Sequence, residues 1–221
     1  MHLKLPLSLP LNLRLNLPLN LPLQAQGRAR RRQGGFTLIE LVVTITLLSL
    51  LLGLAMPSFG VWTRNAQVRS VTDTLQSGIR LAQSEAVRRN RQVVFFLTNS
   101  SACTAAINAN ANGAYWSVRT VALVAGDTPQ VVQCGQLADI AAGVTLSGPT
   151  ALCFNSMGRQ VANASTGVTG SGSCTLGAGD SIYNVAVTGG DRPLRVQVSL
   201  GGRPRLCDPA RTLSSTNPDG C

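Results

Sequence analysis

Three groups of residues in this chain carry side chains that can do chemistry. Near the C-terminus, "GGRPRLC" sets Arg203 and Arg205 two apart behind Gly202. Guanidinium groups form forked hydrogen bonds to phosphate oxygens, and a glycine turn lets the two project together. Arg192 and Arg195, from the turn and strand just before, are expected to add to the same cationic patch. Near the start, Glu40 is the only charge in residues 36–56. A carboxylate in a membrane helix costs roughly 2.5 to 3.5 kcal/mol at the bilayer centre and less near an end, so it marks a contact with a cation at the same depth. The third group is six cysteines, Cys103, Cys134, Cys153, Cys174, Cys207 and Cys221, with no CxxC pair among them. Two absences set limits on all three: the only His is His2 and the only Lys is Lys4. Catalytic triads, Ser-Lys dyads, Schiff-base chemistry and histidine metal sites each need one of these types. The chain is therefore read as not an enzyme, with no cofactor and no metal site.

The formal net charge of +10 suggests an acidic partner until it is divided along the chain. Residues 1–35 hold Lys4, Arg14, Arg28, Arg30, Arg31 and Arg32 and no acid, leaving 13 arginines against 9 acids, a net of +4, in residues 36–221. The part that folds is thus only moderately basic. Residues 1–23 alternate Leu with Pro, Asn, Ser or a basic residue. Repeated Pro forbids regular strand pairing and breaks a helix, so this stretch is read as low complexity, with two origins open: an artefact of start-site assignment, the preferred one, or a long targeting arm.

The apolar run at 36–57 matches the roughly 20 residues a helix needs to span hydrocarbon. Arginines precede it, which keeps that end cytoplasmic and sends the remainder outward. A secretory signal would place its small residues after the apolar core, whereas here Gly34 and Gly35 come before it.

These residues, "GGFTLIELVVTITLLSLLLGLAMPSF", resemble the class III signal of type IV pilins and pseudopilins. The resemblance implies that a prepilin peptidase and N-methyltransferase removes leader 1–35, cutting between Gly35 and Phe36, and methylates Phe36. It also implies that Glu40 pairs with the terminal amine of a neighbouring subunit, a buried ion pair that sets register rather than adding stability. The implied location is the bacterial inner membrane, single-pass through its lipid with the head in the periplasm, and then a pilus or pseudopilus.

Beyond Pro57, Val68, Val71, Leu75, Ile79, Ala82 and Ala86 follow steps of three and four, which predicts an amphipathic helix over 58–92 packed on a head by one apolar stripe. Pro57 is expected to kink it. Residues 93–221 then read as strands: 93–98, 114–124, 129–134, 143–148 and 151–161, followed across a Gly/Ser/Thr-rich connection by a terminal hairpin closed around 189–192. The expected fold is α+β, a long N-terminal helix on an antiparallel β-sheet head.

Within the pilin group, "LQSGIRLAQSEAVRRNRQVVF", "CFNSMGRQV" and "LRVQVSLGGRPRLC" resemble the GspH/FimT branch, whose members are minor subunits of type IV pili or type II secretion pseudopili. FimT-like members are linked to DNA uptake through a G-R-x-R motif, here Gly202, Arg203, Pro204 and Arg205. The same pattern recurs as "GRAR" at 27–30 in the leader. With few aromatics to stack on bases, recognition would run through phosphate, indifferent to sequence, with log K falling against log salt at a slope of about −2 to −4. The partners implied are other pilin or pseudopilin subunits, the processing enzyme, lipid and DNA. A GspH-like secretion pseudopilin and a priming subunit without DNA binding share the same signal and helix.

All six cysteines lie on the outward side, and an even number there favours disulfides. Fifteen pairings are open. Cys207 with Cys221 is preferred because the apolar-poor tail 208–220 needs a tether, and Cys153 with Cys174 because it would staple the Gly/Ser-rich loop.

Overall fold

The computed structural model describes residues 35–137 and 143–221. The expected leader, through residue 34, with the low-complexity stretch 1–23 and the "GRAR" at 27–30, lies outside the described residues. The chain divides into two units, Met1–Thr46 and Leu47–Cys221.

In the first unit Thr37 opens helix α1 (Leu38–Arg88) as its N-cap. The backbone N–H of Glu40 donates to Thr37 Oγ1 at 3.3 Å, and that of Leu41 to Thr37 O at 3.1 Å. Glu40 thus occupies the third position of the first turn, where its charge complements the positive end of the helix dipole. All side chains over 36–54 are exposed. Among the described residues no single helix is long and apolar enough to cross a membrane. The stretches Leu38–Leu54 and Ser58–Arg88 meet that test only as a bent pair.

The second unit holds the head. Val68, Val71, Leu75, Ile79, Ala82 and Ala86 are all buried, as the three-four spacing requires, and form one wall of the main core. The helix stops at Arg88, four residues short of the expected end, because Asn90 takes a left-handed conformation (φ 48°). Asn90 N–H then donates to Val87 O and Arg91 N–H to Ala86 O, a pairing that closes off the last turn. Inside that turn Glu85 accepts from Arg88 Nε and Nη2 (2.7 and 2.6 Å) and from Arg89 Nε (2.7 Å). These bonds hold its carboxyl down to about 2, against an ordinary 4.5. A depressed carboxylate stabilises the fold above its unfolded value and loses that contribution as pH falls from about 4.5 toward 2. Glu85→Gln is expected to cost about 1 to 2 kcal/mol at pH 7, after allowing for solvent around the arginines. Unfolding curves of variant and parent should converge near pH 2; a gap that stays constant with pH would remove the carboxylate from the account.

Among the described residues nine strands come after the helix: β1 (Val93–Thr98), β2 (Tyr115–Thr120), β3 (Val131–Gln136), β4 (Val144–Ser147), β5 (Ala151–Phe154), β6 (Gln160–Val161), β7 (Ser181–Val187), β8 (Leu194–Val198) and β9 (Pro204–Cys207). They form two antiparallel sheets, ordered β3-β2-β1-β5-β6 and β4-β7-β8-β9. Strand β1 is buried on both faces. Val93, Phe95 and Leu97 join the main core under the helix, while Val94 and Phe96 join a second cluster with Ile107, Ala109, Val121, Ala151, Cys153, Val168 and Cys174. That second layer comes largely from the loops at 100–113 and 162–174, which carry no strand pattern of their own. They lie together through a bridge from Ala109 to Gly170. Arg119 is buried beneath them, 2% exposed, with Nη1 donating to Ala105 O at 2.7 Å and its guanidinium over the Phe96 ring.

The expected strands differ from the observed ones most at three places. The stretch at 114–124 ends at Thr120, where Val121 turns inward and donates to Gln92 O. The stretch at 151–161 is a hairpin, since Asn155 and Gly158 turn the chain so that β6 pairs back on β5. The terminal hairpin is three strands, because 199–203 reverses the chain and splits the last arm into β8 and β9. Disulfides join Cys103 to Cys134, Cys153 to Cys174 and Cys207 to Cys221.

Candidate functional site

The Gly-Arg-Pro-Arg sequence lies on the β8–β9 turn and the strand it starts. Gly202 takes φ 86°, donating to Ser199 O at 2.7 Å, while Ser199 N–H donates to Arg203 O at 3.1 Å. The turn packs directly on the β5–β6 turn. A Cβ on Gly202 would stand 1.9 Å from Gly158 O, closer than any real Cβ. Helix α1 fastens both turns: Gln83 Nε2 donates to Gly158 O (3.1 Å) and Gly201 O (3.3 Å), and Gln76 Nε2 to Pro204 O (3.3 Å). A buried amide completes the joint. Gln160 Nε2 donates to Val198 O and Ser199 O, its Oε1 accepts from Ser181 Oγ, and its backbone N–H donates to Leu200 O.

The four arginines expected to share one patch are divided among different tasks. Arg203 is exposed, with no partner for its guanidinium among the described residues. Arg205 turns its guanidinium to the tail, where Nη2 donates to Gly220 O (2.6 Å) and Pro218 O (3.2 Å). It therefore works beside the Cys207–Cys221 disulfide in holding residues 208–221. Arg195 donates from Nε to Asn184 Oδ1 across the β7–β8 pair. Arg192 lies on the β7–β8 turn, at the opposite end of β8 from Arg203. The five residues of β8 between them correspond to roughly 17 Å of strand, so these two do not form one patch. Sequence neighbourhood suggests a cluster; the alternation and direction of the strands undo it.

At that opposite end the start of the head's helix is latched to the β7–β8 turn. Asn65 Nδ2 donates to Asp191 Oδ1, Asn65 Oδ1 accepts from the N–H groups of Asp191 and Arg192, and Arg64 Nη1 donates to Gly189 O. An open cleft of about 940 Å³ beside the latch is lined by Trp62, Arg69, Arg192, Arg211, Asp208 and Asp219 among others. Its charges nearly cancel, since Arg211 bonds to Asp219 and sits against Asp208.

In the first unit Gly35 and Phe36 precede the helix in exposed, non-helical backbone, and Glu40 is exposed on its first turn. Among the described residues no group of three or more His, Cys, Asp or Glu is placed to hold a metal ion.

Residues that sequence reading passes over are Gln83, Gln160 and Gly158, which build the joint under the turn. One signal is present: "NSMGRQ" and "SLGGRP" are both Gly-Arg turns, and they are the two that pack together.

Comparison with known proteins gives two family matches. The family described as type II transport protein GspH matches residues 71–202, and the prokaryotic N-terminal methylation motif matches residues 30–56. No curated protein matches. Among solved structures the chain is similar to the type IV minor pilin FimU of Pseudomonas aeruginosa, at 16% identity over 64% of this chain and 96% of that one, with a TM-score of 0.43. It is similar also to the minor pseudopilin EpsH of the type 2 secretion system of Vibrio cholerae, at 14% identity over 66% and 99%, TM-score 0.41.

Proposed function

The chain belongs to the family of the type II transport protein GspH, whose match spans more than half of it, and from that premise we propose that it is a FimT-like minor pilin. The family and the N-terminal motif make it a pilin-like subunit of the class that builds type IV pili and type II secretion pseudopili. The finer reading is a type IV pilus subunit that binds DNA without sequence preference for uptake in natural transformation. The observation that carries it is Arg203, exposed on a turn that the helix and a second turn hold rigid. The phosphate-binding set includes Arg203 and leaves out Arg205, which is committed to the tail.

As an assembly subunit the chain needs partners and processing rather than catalysis. Prepilin peptidase would cut between Gly35 and Phe36, freeing the Phe36 amine for methylation, and the mature helix would anchor in inner-membrane lipid with the head in the periplasm. Glu40 would then meet the amine of the adjoining subunit. Glu40→Gln keeps the shape and removes the charge, losing a charge-assisted bond worth about 1.5 to 3 kcal/mol. Incorporation into filaments is expected to fall about tenfold, with membrane insertion unchanged. Incorporation at parental levels, scored by immunoblot of sheared filaments, would take Glu40 out of the assembly contact.

The DNA reading is tested with the processed full chain in nanodiscs of zwitterionic lipid, titrated with a short labelled duplex at several salt concentrations. Binding that weakens with salt at a slope near −3 supports it. A second reading, a GspH-like secretion pseudopilin or a priming subunit, is favoured by the family description and by the internal use of Arg195 and Arg205. A folded chain that ignores DNA at low salt would establish it over the first.

A further inference from the structure

The joint that fixes Arg203 brings two more arginines to the same place, from parts of the sequence far from the C-terminus. Gly158 O abuts the Cα of Gly202, so the next residues, Arg159 and Arg203, leave one packed seam from its two sides. Both are exposed. The third is Arg80 on α1. Gln76 and Gln83 bracket it by four and three residues, which puts all three on one stripe of the helix. Gln76 donates to the carbonyl of Pro204, and Gln83 to those of Gly158 and Gly201. Arg80 therefore rises between the two points where the helix grips these turns, and it too is exposed. None of the three has a side-chain hydrogen bond or ion pair among the described residues, whereas Arg64, Arg69, Arg88, Arg89, Arg91, Arg195, Arg205 and Arg211 are each engaged within the chain.

No acid forms an ion pair with this cluster among the described residues. No carboxylate stands three or four residues from Arg80 on the helix. Of the described acids, Asp180 alone lies at this end of the second sheet, one residue before β7. Asp191, Asp208 and Asp219 are gathered at the cleft on the other end.

We propose that Arg80, Arg159 and Arg203 together form the phosphate-binding surface of the head, its ligand being the backbone of duplex DNA. The inference rests on the DNA-binding reading above and replaces the run of C-terminal arginines with a cluster drawn from the helix and both turns. The three arginines are exposed and line none of the three clefts described for the head, which suits a rod of repeating phosphates better than a small anion. The three chains are unpaired but rigidly based, so little is broken when phosphate binds. Three contacts give a slope of log K against log salt of about −2.7 on duplex DNA.

The test uses the processed full chain in the same nanodiscs, with Arg80→Gln, Arg159→Gln and Arg203→Gln made singly and together, and Arg192→Gln as the control at the far end of β8. Each single change within the cluster is expected to weaken binding roughly fivefold at moderate salt and to lower the slope by about one. The triple variant should lose salt-dependent binding while keeping the parental thermal midpoint, and the control should match the parent. Binding weakened by Arg203→Gln alone, with the Arg80 and Arg159 variants unchanged, would overturn the cluster and leave the DNA reading standing. No binding by the unaltered chain would overturn both.

Discussion

Replacing Gly202 with alanine is expected to lower the thermal midpoint of the head by about 10 °C, although the change adds one methyl group at a position where the sequence suggests only a hinge for two arginines. Two costs combine. A left-handed backbone costs an L-residue roughly 1 to 2 kcal/mol, and Gly202 has φ 86°. The new Cβ also meets Gly158 O at 1.9 Å and Gln83 Nε2 at 2.7 Å. The first of these is backbone and can yield only if the β5–β6 turn moves, adding about 1 to 3 kcal/mol. Gly201 provides the internal comparison. Its added Cβ would find only Ser199 Oγ, at 3.6 Å, so Gly201→Ala should stay within about 0.5 kcal/mol of the parent. Equal midpoints for the two variants would show that the seam between the turns is soft.

The second large effect is expected on removing the Cys153–Cys174 disulfide by changing both residues to alanine. It closes a loop of 21 residues, for which chain entropy alone assigns about 3 kcal/mol. Both cysteines are also buried in the second cluster, and Cys174 pairs with Asn163 through two backbone bonds. Losing the link lets the 162–174 loop lift from the sheet and uncovers Val94 and Phe96. The denaturant midpoint should fall, with a lower m-value if the loop stays open in the native state. Removing Cys207–Cys221 instead should lower the midpoint less and raise hydrogen exchange mainly over 208–221, since no residue of the ring it closes belongs to either core. A midpoint that does not respond to loss of Cys153–Cys174 would show that the loop packs without it.

The main helix is legible in the sequence because its stripe is continuous: six apolar residues at three-four spacing have one reading, and all six are buried. Strand β1 is legible by composition, yet its burial on both faces is not. The material covering its outer face is spread over Ile107, Ala109 and Val168 in loops rich in Gly, Ser, Thr and Asn, where apolar residues are too sparse to set a period. The end of the helix escapes a sequence reading because an asparagine, not a glycine, supplies the left-handed residue. The proposed arginine cluster is hidden for a different reason. Proximity along a strand says nothing of proximity across a turn, so the sequence points to Arg192 and is silent on Arg80 and Arg159. It marks Gly202 by the arginines beside it, whereas the structure marks it by its contact with Gly158.

The three disulfides share one property with a mechanical meaning: none includes a residue of α1. A tension applied at the N-terminal end of that helix finds no covalent path into the sheets except the chain itself at Arg88. The load passes instead through the Asn65 latch, the stripe over Val68 to Ala86 and the Gln76 and Gln83 bonds. These contacts lie in series along the helix but side by side with respect to a pull on its axis, so they are sheared together rather than peeled one at a time. How long the subunit holds under force is then a rate of seam slippage, while the cross-linked sheets ride through it intact.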